Sequence, residues 1–388
     1  MSRLEELIQQ YCPDGVGYKP LGEVCDIHKG VQFNKTDMKE EGSYPVINGG
    51  INPSGYVEVF NEEKETITIS QGGASAGYVN FIMTRFWLGA HCYAVKPTQQ
   101  VLNRYLYHFV KQNERTLQQC QYGAGIPALA KATIINLSIP VPPLPVQEEI
   151  VRILDNFTEL QAELQAELQK RLQQYNYYRD NLLSFEGRTD VEWKKLGEIA
   201  SIKTGRRFVR TDIRESGVPC FHYGDLYTYY GLTATQTKGY LDAELASKLR
   251  FAQPNDVVVV CAGENDMDIG VGVAWLGNEP AVVHDACCIL QHNQNPRYIS
   301  HFLRTHNYHL QMRRYVKNGK ISSLPASGLA EATIPIPSLE EQEKVASILD
   351  RFNTLTSDIT AGLPAEIEAR RKQYEYYRDQ LLTFKKKA

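Results

Sequence analysis

Leu144-Pro145-Val146-Gln147-Glu148-Glu149-Ile150, followed by Ile153-Leu154-Asp155-Asn156-Phe157, is written a second time as Leu339-Glu340-Glu341-Gln342-Glu343-Lys344-Val345 followed by Ile348-Leu349-Asp350-Arg351-Phe352. Both copies run on to a second shared block, Tyr175-Asn176-Tyr177-Tyr178-Arg179-Asp180-Asn181-Leu182-Leu183 and Tyr374-Glu375-Tyr376-Tyr377-Arg378-Asp379-Gln380-Leu381-Leu382. A duplicated chain presents two similar surfaces about an approximate twofold axis, so its target is expected to have two halves.

Outward from these blocks the repeat continues. Lys19-Pro20-Leu21-Gly22-Glu23-Val24 matches Lys194-Lys195-Leu196-Gly197-Glu198-Ile199, Arg104-Tyr105-Leu106-Tyr107-His108-Phe109 matches Arg297-Tyr298-Ile299-Ser300-His301-Phe302, and Ile139-Pro140-Val141-Pro142 matches Ile334-Pro335-Ile336-Pro337. The offset drifts from 175 to 193 to 195 and reaches 199 at the shared Tyr-Tyr-Arg-Asp. About 20 extra residues therefore lie in the second copy, mostly before position 297, and four more around Ala361-Gly362-Leu363-Pro364. Leu7, Ile8, Val16 and Tyr18 line up with Leu182, Leu183, Val191 and Trp193, so the first copy begins with the tail of a helical segment whose body is C-terminal. This is a cyclic arrangement, expected if the chain ends meet in space.

From Ile150 to Leu182 apolar residues recur at multiples of seven, in the rows Ile150, Phe157, Leu164 and Leu154, Leu168, Tyr175, Leu182. That spacing suits a helix packed along another helix, and some 35 to 38 residues would span about 55 Å at 1.5 Å per residue. The second copy steps through Val345, Phe352, Ile359 and then Ile367, Tyr374, Leu381, with Gly362 and Pro364 between the stretches, so a kink or short break is expected there. The remaining segments carry Gly-rich turns (Gly49-Gly50, Gly72-Gly73), short β-branched runs (Thr66 to Ile69, Val257 to Val260) and one helix each, near 101–118 and 296–313. The fold class is α+β: two repeated globular parts separated by two long antiparallel helices, with pseudo-twofold and cyclic symmetry. The expected divisions are an N-terminal helical segment at 1–15, a globular domain at 16–142, a spacer helix at 143–186, a second globular domain at 187–337 and a C-terminal spacer helix at 338–388.

Composition narrows the class. The 388 residues are enough for two or three domains. No run of 18 apolar residues is present and the polar N-terminus has no apolar h-region, so neither a membrane span nor a signal peptide is read. The eight Cys form no C-x-x-C pair or zinc spacing and are read as reduced, mostly buried thiols of a cytoplasmic protein. The net charge of -3 argues mildly against a dedicated nucleic-acid binder. It is uneven, however: Glu148, Glu149, Glu340, Glu341 and Glu343 cluster in the helices, and Arg206, Arg207, Arg210, Arg313, Arg314, Lys317 and Lys320 in the globular parts.

Catalytic motifs fail on inspection. Gly73-Ala74-Ser75-Ala76-Gly77 has the form of a nucleophile elbow, but the strand-like Tyr78 to Ile82 follows where the elbow needs a helix. Gly270-Val271-Gly272 lacks the third glycine and the helix of a dinucleotide fingerprint. Both read as turns. There is no Walker A loop, methyltransferase motif or nuclease set, and each of the nine scattered His reads as structural or surface. No catalytic residue, metal or cofactor is assigned.

A binding surface remains. The first copy offers Lys29, Gln32, Asn34, Lys35, Asn48, Gln71, Tyr78, Arg85, His91 and Tyr122; the second offers Lys203, Arg206, Arg207, Arg210, His222, Tyr223, Asp225, Tyr227, Asn265, Lys317 and Lys320. Arg, Lys, Asn and Gln suit phosphates and base edges. Equivalent positions whose side chains differ between copies are the best candidates for reading sequence. A rival reading is a pseudo-symmetric protein–protein scaffold without a DNA role, favoured by acidic or apolar faces where a basic concave surface would favour DNA.

The order of these blocks resembles the specificity subunit of a type I restriction-modification enzyme. The resemblance is carried by Lys-x-Leu-Gly-Glu at 19–23 and 194–198 and by the Ile-Pro-x-Pro…Leu…Gln…Ile-Leu-Asp pattern at 139–155 and 334–350, and it covers essentially the whole chain. It implies that each globular part is a target recognition domain reading one half of a bipartite double-stranded DNA site. The helices would act as a ruler and carry two modification (methyltransferase) subunits, which hold the methyl donor and catalytic motif. Restriction subunits would join through the assembled complex. Tyr177, Arg179, Tyr376 and Arg378 are then candidates for the partner-subunit interface, with packing on the sister helix or the globular domains as the other reading for the tyrosines. Exposed helix faces without partners would leave the isolated chain prone to self-association.

Overall fold

The computed structural model describes residues 2–387 apart from 124, 126, 264–268, 318, 320 and 358–361. The chain forms two compact units, one of residues 1–163 with 367–388 and one of residues 164–366.

In the first unit, Cys25–Lys29, Cys92–Pro97, Thr66–Ser70 and Val79–Ile82 lie side by side, in that order, in an antiparallel sheet. Thr66–Ser70 is buried along its length, as a strand covered on both faces must be. The helix Asn103–Gln112 packs over the sheet, burying Tyr105, Leu106, Phe109 and Val110. A three-stranded sheet of Tyr56–Val57, Tyr44–Ile47 and Trp87–Leu88 lies alongside. The second unit repeats the plan with Ala200–Thr204, Cys287–His292, Val257–Val260, Gly272–Trp275 and Thr233–Ala234 in one sheet and Gly239–Leu241, Val218–Phe221, Ala281–Val283 and Phe251–Ala252 in another. All four valines of Val257–Val260 are buried, each contributing about 1.5–3 kcal/mol against exposure. The extra residues of the second copy fall between Phe221 and Ala281, where they add the helices Tyr223–Thr228 and Ala243–Ala246.

The long helix Leu144–Leu182 is continuous. The C-terminal segment is two helices, Leu339–Ser357 and Leu363–Leu381, with Gly362 in a bend and Pro364 in the first turn of the second, where its missing N–H breaks no helical bond. Residues 358–361, where part of the expected break falls, lie outside the described residues. The helical segments pack together in pairs. In the first unit the Phe157 and Tyr377 rings stack at 5.4 Å, and in the second the Tyr178 and Phe352 rings stack at 5.5 Å. The α+β class with long packed helices is therefore observed.

The shared sequence blocks meet at a joint built twice. In the first unit Asp155 takes hydrogen bonds from Arg104 Nη2 (2.5 Å) and His108 Nε2 (2.7 Å), and the His108 Nδ1 is 2.9 Å from the Tyr374 hydroxyl. In the second, Asp350 takes them from Arg297 Nη1 (2.6 Å) and His301 Nε2 (2.9 Å), and the His301 Nδ1 is 3.2 Å from the Tyr175 hydroxyl. Burial pushes both imidazoles below their ordinary pKa, so they stay neutral and donate from Nε2. Burial alone would raise the two carboxyls, but the His and Arg hydrogen bonds outweigh it and hold both below the usual range. About two turns earlier, Gln147 accepts from Leu102 N (2.8 Å) and donates to Pro142 O (2.7 Å), while Gln342 accepts from Asn295 N (3.0 Å) and donates to Pro337 O (2.9 Å). The repeated Gln and Asp thus tie each globular part to its helices.

The two ends of the chain close the first unit. Leu4, Val16, Tyr374 and Leu382 share one core, and Val16 exchanges backbone hydrogen bonds with Lys385 (2.8 Å) and Lys387 (3.0 Å). All eight cysteines are free thiols, with only Cys120 exposed. No described helix is long and apolar enough to cross a membrane.

Candidate nucleic-acid interface

Each unit gathers its loops at one end of the main sheet, and the same backbone bonds hold them. Gly30 N donates to Cys92 O (3.1 Å) in the first unit and Gly205 N to Cys287 O (2.9 Å) in the second. Val31 N bonds Leu88 O and Arg206 N bonds Val283 O, and the one-turn 3-10 helices Lys35–Asp37 and Arg210–Asp212 follow at identical spacing. A Cβ on Gly30 would stand 2.3 Å from Leu88 O and one on Gly205 2.2 Å from His284 O, so only glycine lets these loops lie so close. Leu129 N to Gln71 O (2.7 Å) and Leu324 N to Cys261 O (2.8 Å) fix the next loop equivalently.

In the first unit this scaffold brings Asn48, Gln71, His91 and Tyr122 together, while Gln32, on the loop after Gly30, donates from its amide to Phe33 O (2.9 Å). Gln71 N donates to His91 O (2.8 Å), His91 N donates to Asn48 Oδ1 (3.1 Å), and Tyr122 pairs with Ala128 across the adjoining turn. Trp87 Nε1 donates to Val31 O (2.9 Å) and the Trp87 ring meets Phe33 edge-on, which props up the segment carrying Gln32. Asn34 donates to Asp37 (3.3 Å) beside the exposed Lys35, and Lys29 is exposed at its strand end. Tyr78 sits under the Lys111 ammonium, 4.7 Å from its ring centre, against the covering helix, and burial raises its hydroxyl pKa. Arg85 lies at the far end of the sheet, bonded to Glu63 (2.9 Å) and stacked over Phe60, and is not brought to the cluster.

In the second unit the equivalent loops enclose a cleft of about 480 Å³ lined by Arg207, Arg210, His222, Tyr223, Tyr227 and His284, among others. His222 and His284 lie ring to ring at 4.9 Å, with Phe208 edge-on to His284 at 5.1 Å. Burial depresses both imidazoles, and for His222 the neighbouring His284 adds to the effect, so the cleft wall is neutral there and its cations are the two arginines. Neither arginine side chain has a hydrogen bond or ion pair among the described residues. Arg206 is tied to Lys248 O (2.7 Å), Lys203 to Gln291 (2.8 Å) on the sheet, and the buried Asp225 to Lys238 (3.0 Å). Lys317 is exposed and its backbone pairs with Ser323 beside the cleft. Asn265 and Lys320 lie outside the described residues. His284 and the exposed Ile321, both on the cleft, were not among the residues singled out from sequence. Their signal was weak, since Gly89 is the first-unit counterpart of His284 and the pair emerges only from matched backbone bonds.

On the helices, Tyr177 is 67% exposed and Tyr376 62%. Arg179 and Arg378 are mostly buried at the side chain (11% and 13% exposed), each bonded to the next aspartate and lying over Tyr175 or Tyr374. The Gly73–Gly77 turn leads into the strand Val79–Ile82 and Gly270 leads into the strand Gly272–Trp275, so both glycine motifs are turns.

Comparison with known proteins now defines the class. Residues 13–174 and 189–369 match the type I restriction modification DNA specificity domain. The chain is 31% identical to a putative type I restriction enzyme specificity subunit of Haemophilus influenzae, covering 95% of this chain and 96% of that one. It is 30% identical to the specificity subunit of the EcoR124I/EcoR124II type I restriction enzyme of Escherichia coli, covering 100% and 98%. The S subunit of the type I restriction-modification system of M. genitalium shares its fold, with a TM-score of 0.57 and 17% identity over 95% of this chain and 96% of that one. The chain belongs to the type I restriction-modification DNA specificity family. It is a specificity subunit, the non-catalytic member that recognises DNA sites within the complex.

Proposed function

We propose that each globular part, 16–142 and 187–337, is a target recognition domain reading one half of an asymmetric bipartite site in double-stranded DNA. The helical parts, 143–186 and 338–388 with the segment 1–15, set the gap and dock two modification subunits. One observation carries this reading: the two units hold the same loop backbone, bond for bond, while side chains at matched positions such as Gln32 and Arg207, or Asn48 and His222, differ. A shared scaffold with different tips suits two different half-sites, and specificity becomes a product of two terms. The loop side chains named above are the proposed DNA contacts, the cations among them supplying affinity and salt dependence. Exposed Tyr177 and Tyr376, together with Arg179 and Arg378, mark the proposed partner surface, through which the restriction subunits also join in a cytoplasmic complex.

The test is genome-wide adenine and cytosine methylation mapping in cells holding this chain and its cognate modification subunit, against cells lacking only this chain. A two-part motif that disappears with the chain is expected, and exchanging residues 191–337 for those of another family member should change one half only. Identical methylation with an active partner would overturn the reading.

A further inference from the structure

From residue 30 to 39 the first unit superposes in bonding on residues 205 to 214 of the second at a constant offset: Asp37 N to Asn34 O answers Asp212 N to Val209 O, and the Lys39–Tyr56 bridge answers Arg214–Tyr240. Side chains at matched positions can therefore be compared one by one. Lys35 and Arg210 are cations in both copies. A charge kept whatever the half-site suits what every DNA sequence shares, the phosphate backbone. Gln32 and Arg207 differ in chemical class at one place on one scaffold. Arg206, the other arginine of the loop, is spent on Lys248 O. The Gln32 amide donates to its neighbour Phe33 O (2.9 Å), and Asn48 and Gln71 on the other loops of the first unit have His222 and the buried Cys261 as counterparts.

A carboxamide pairs with both N6 and N7 of adenine, whereas the guanidinium fork pairs with O6 and N7 of guanine. We infer that Gln32 in the first unit reads an adenine and Arg207 in the second unit reads a guanine, while Lys35 and Arg210 hold the phosphates on either side. This rests on the half-site reading proposed above. It makes the two half-sites differ in a stated way: the half read by the second unit contains a guanine whose recognition depends on a single guanidinium.

The experiment is methylation mapping with the full chain and its cognate modification subunit, after the 191–337 exchange has assigned each half. Arg207→Gln should lower discrimination at one guanine of the second unit's half by about 10- to 100-fold and leave the other half intact. Arg207→Lys keeps the charge and loses the fork, so it should relax the same position while leaving the salt slope of DNA binding unchanged. Gln32→Arg should shift one position of the first unit's half from adenine to guanine. Arg210→Gln should weaken all sequences alike and reduce the salt slope by about 1. The inference is overturned if the second unit's half has no guanine, if Arg207→Lys preserves full discrimination, or if Arg207→Gln only weakens binding uniformly. Each of those results leaves a two-part wild-type motif standing, whereas a wild-type motif without two parts sinks the half-site reading itself.

Discussion

The joints and the loop tips of this molecule obey opposite rules. At the joint, Arg104, His108, Gln147, Asp155 and Tyr374 recur residue for residue as Arg297, His301, Gln342, Asp350 and Tyr175, making the same bonds. At the loop tips the backbone recurs with only part of its side chains: Phe33, Thr36 and Asp37 return as Phe208, Thr211 and Asp212, whereas Gln32, Asn48 and Gln71 are answered by Arg207, His222 and Cys261. A buried network leaves no freedom, because each member satisfies another that would be costly to leave unpaired. A loop tip pointing to solvent or to a ligand is limited only by its main chain.

The largest effect should come from acid. His292 and His309 in the second unit are pushed down to about 4 by burial, and His301, His222 and His284 are lowered too, whereas in the first unit His108 is the group so affected. A folded-state pKa below that of the unfolded chain gives stability that is complete above pH 6.5 and is lost as pH falls toward 4. The second unit should therefore melt before the first as pH is lowered, which hydrogen exchange resolved by segment would detect; simultaneous loss would contradict this. Next come Asp155→Ala and Asp350→Ala, which strand a buried imidazole and an arginine. Each should cost about 3 kcal/mol in urea unfolding while leaving the methylated motif unchanged, and a changed base preference would mean that the joint takes part in reading. Gln147→Ala orphans Leu102 N and Pro142 O and should cost about 2 kcal/mol by the same measurement. Smallest of all, Tyr177→Ala and Tyr376→Ala should move stability by no more than about 0.5 kcal/mol. They should instead weaken capture of the modification subunit in sedimentation, and unimpaired assembly would place the partner face elsewhere.

Much of this was readable from residues. The heptad-like rows from Ile150 to Leu182 and the duplicated motifs gave the helices and the two-copy plan, because period and repetition survive without three-dimensional information. The loop cluster was partly readable: Asn48, Gln71, His91 and Tyr122 meet, but Arg85, of the same residue type as any phosphate contact, sits at the opposite end of the sheet with Glu63. Nothing local distinguishes the two ends, since which loops share a sheet end depends on strand order. The joint was visible as conspicuous repetition of Arg-Tyr-x-x-His-Phe and Ile-Leu-Asp, yet its chemistry was not. Asp155 and Tyr374 are over two hundred positions apart, and only the packed helices bring both to His108.

The first unit draws its core from both extremities, Leu4 and Val16 together with Tyr374 and Leu382, whereas the second is contiguous from 164 to 366. Ribosomes deliver a chain from its N-terminus, so the half written first has to wait for the last helix while the half written second is already whole. At about 5–20 residues per second the stretch 367–388, which follows the whole of the second unit, takes a few seconds to make. For that interval a nascent chain holds one finished unit and one unfinished one, and order of folding inverts order of synthesis.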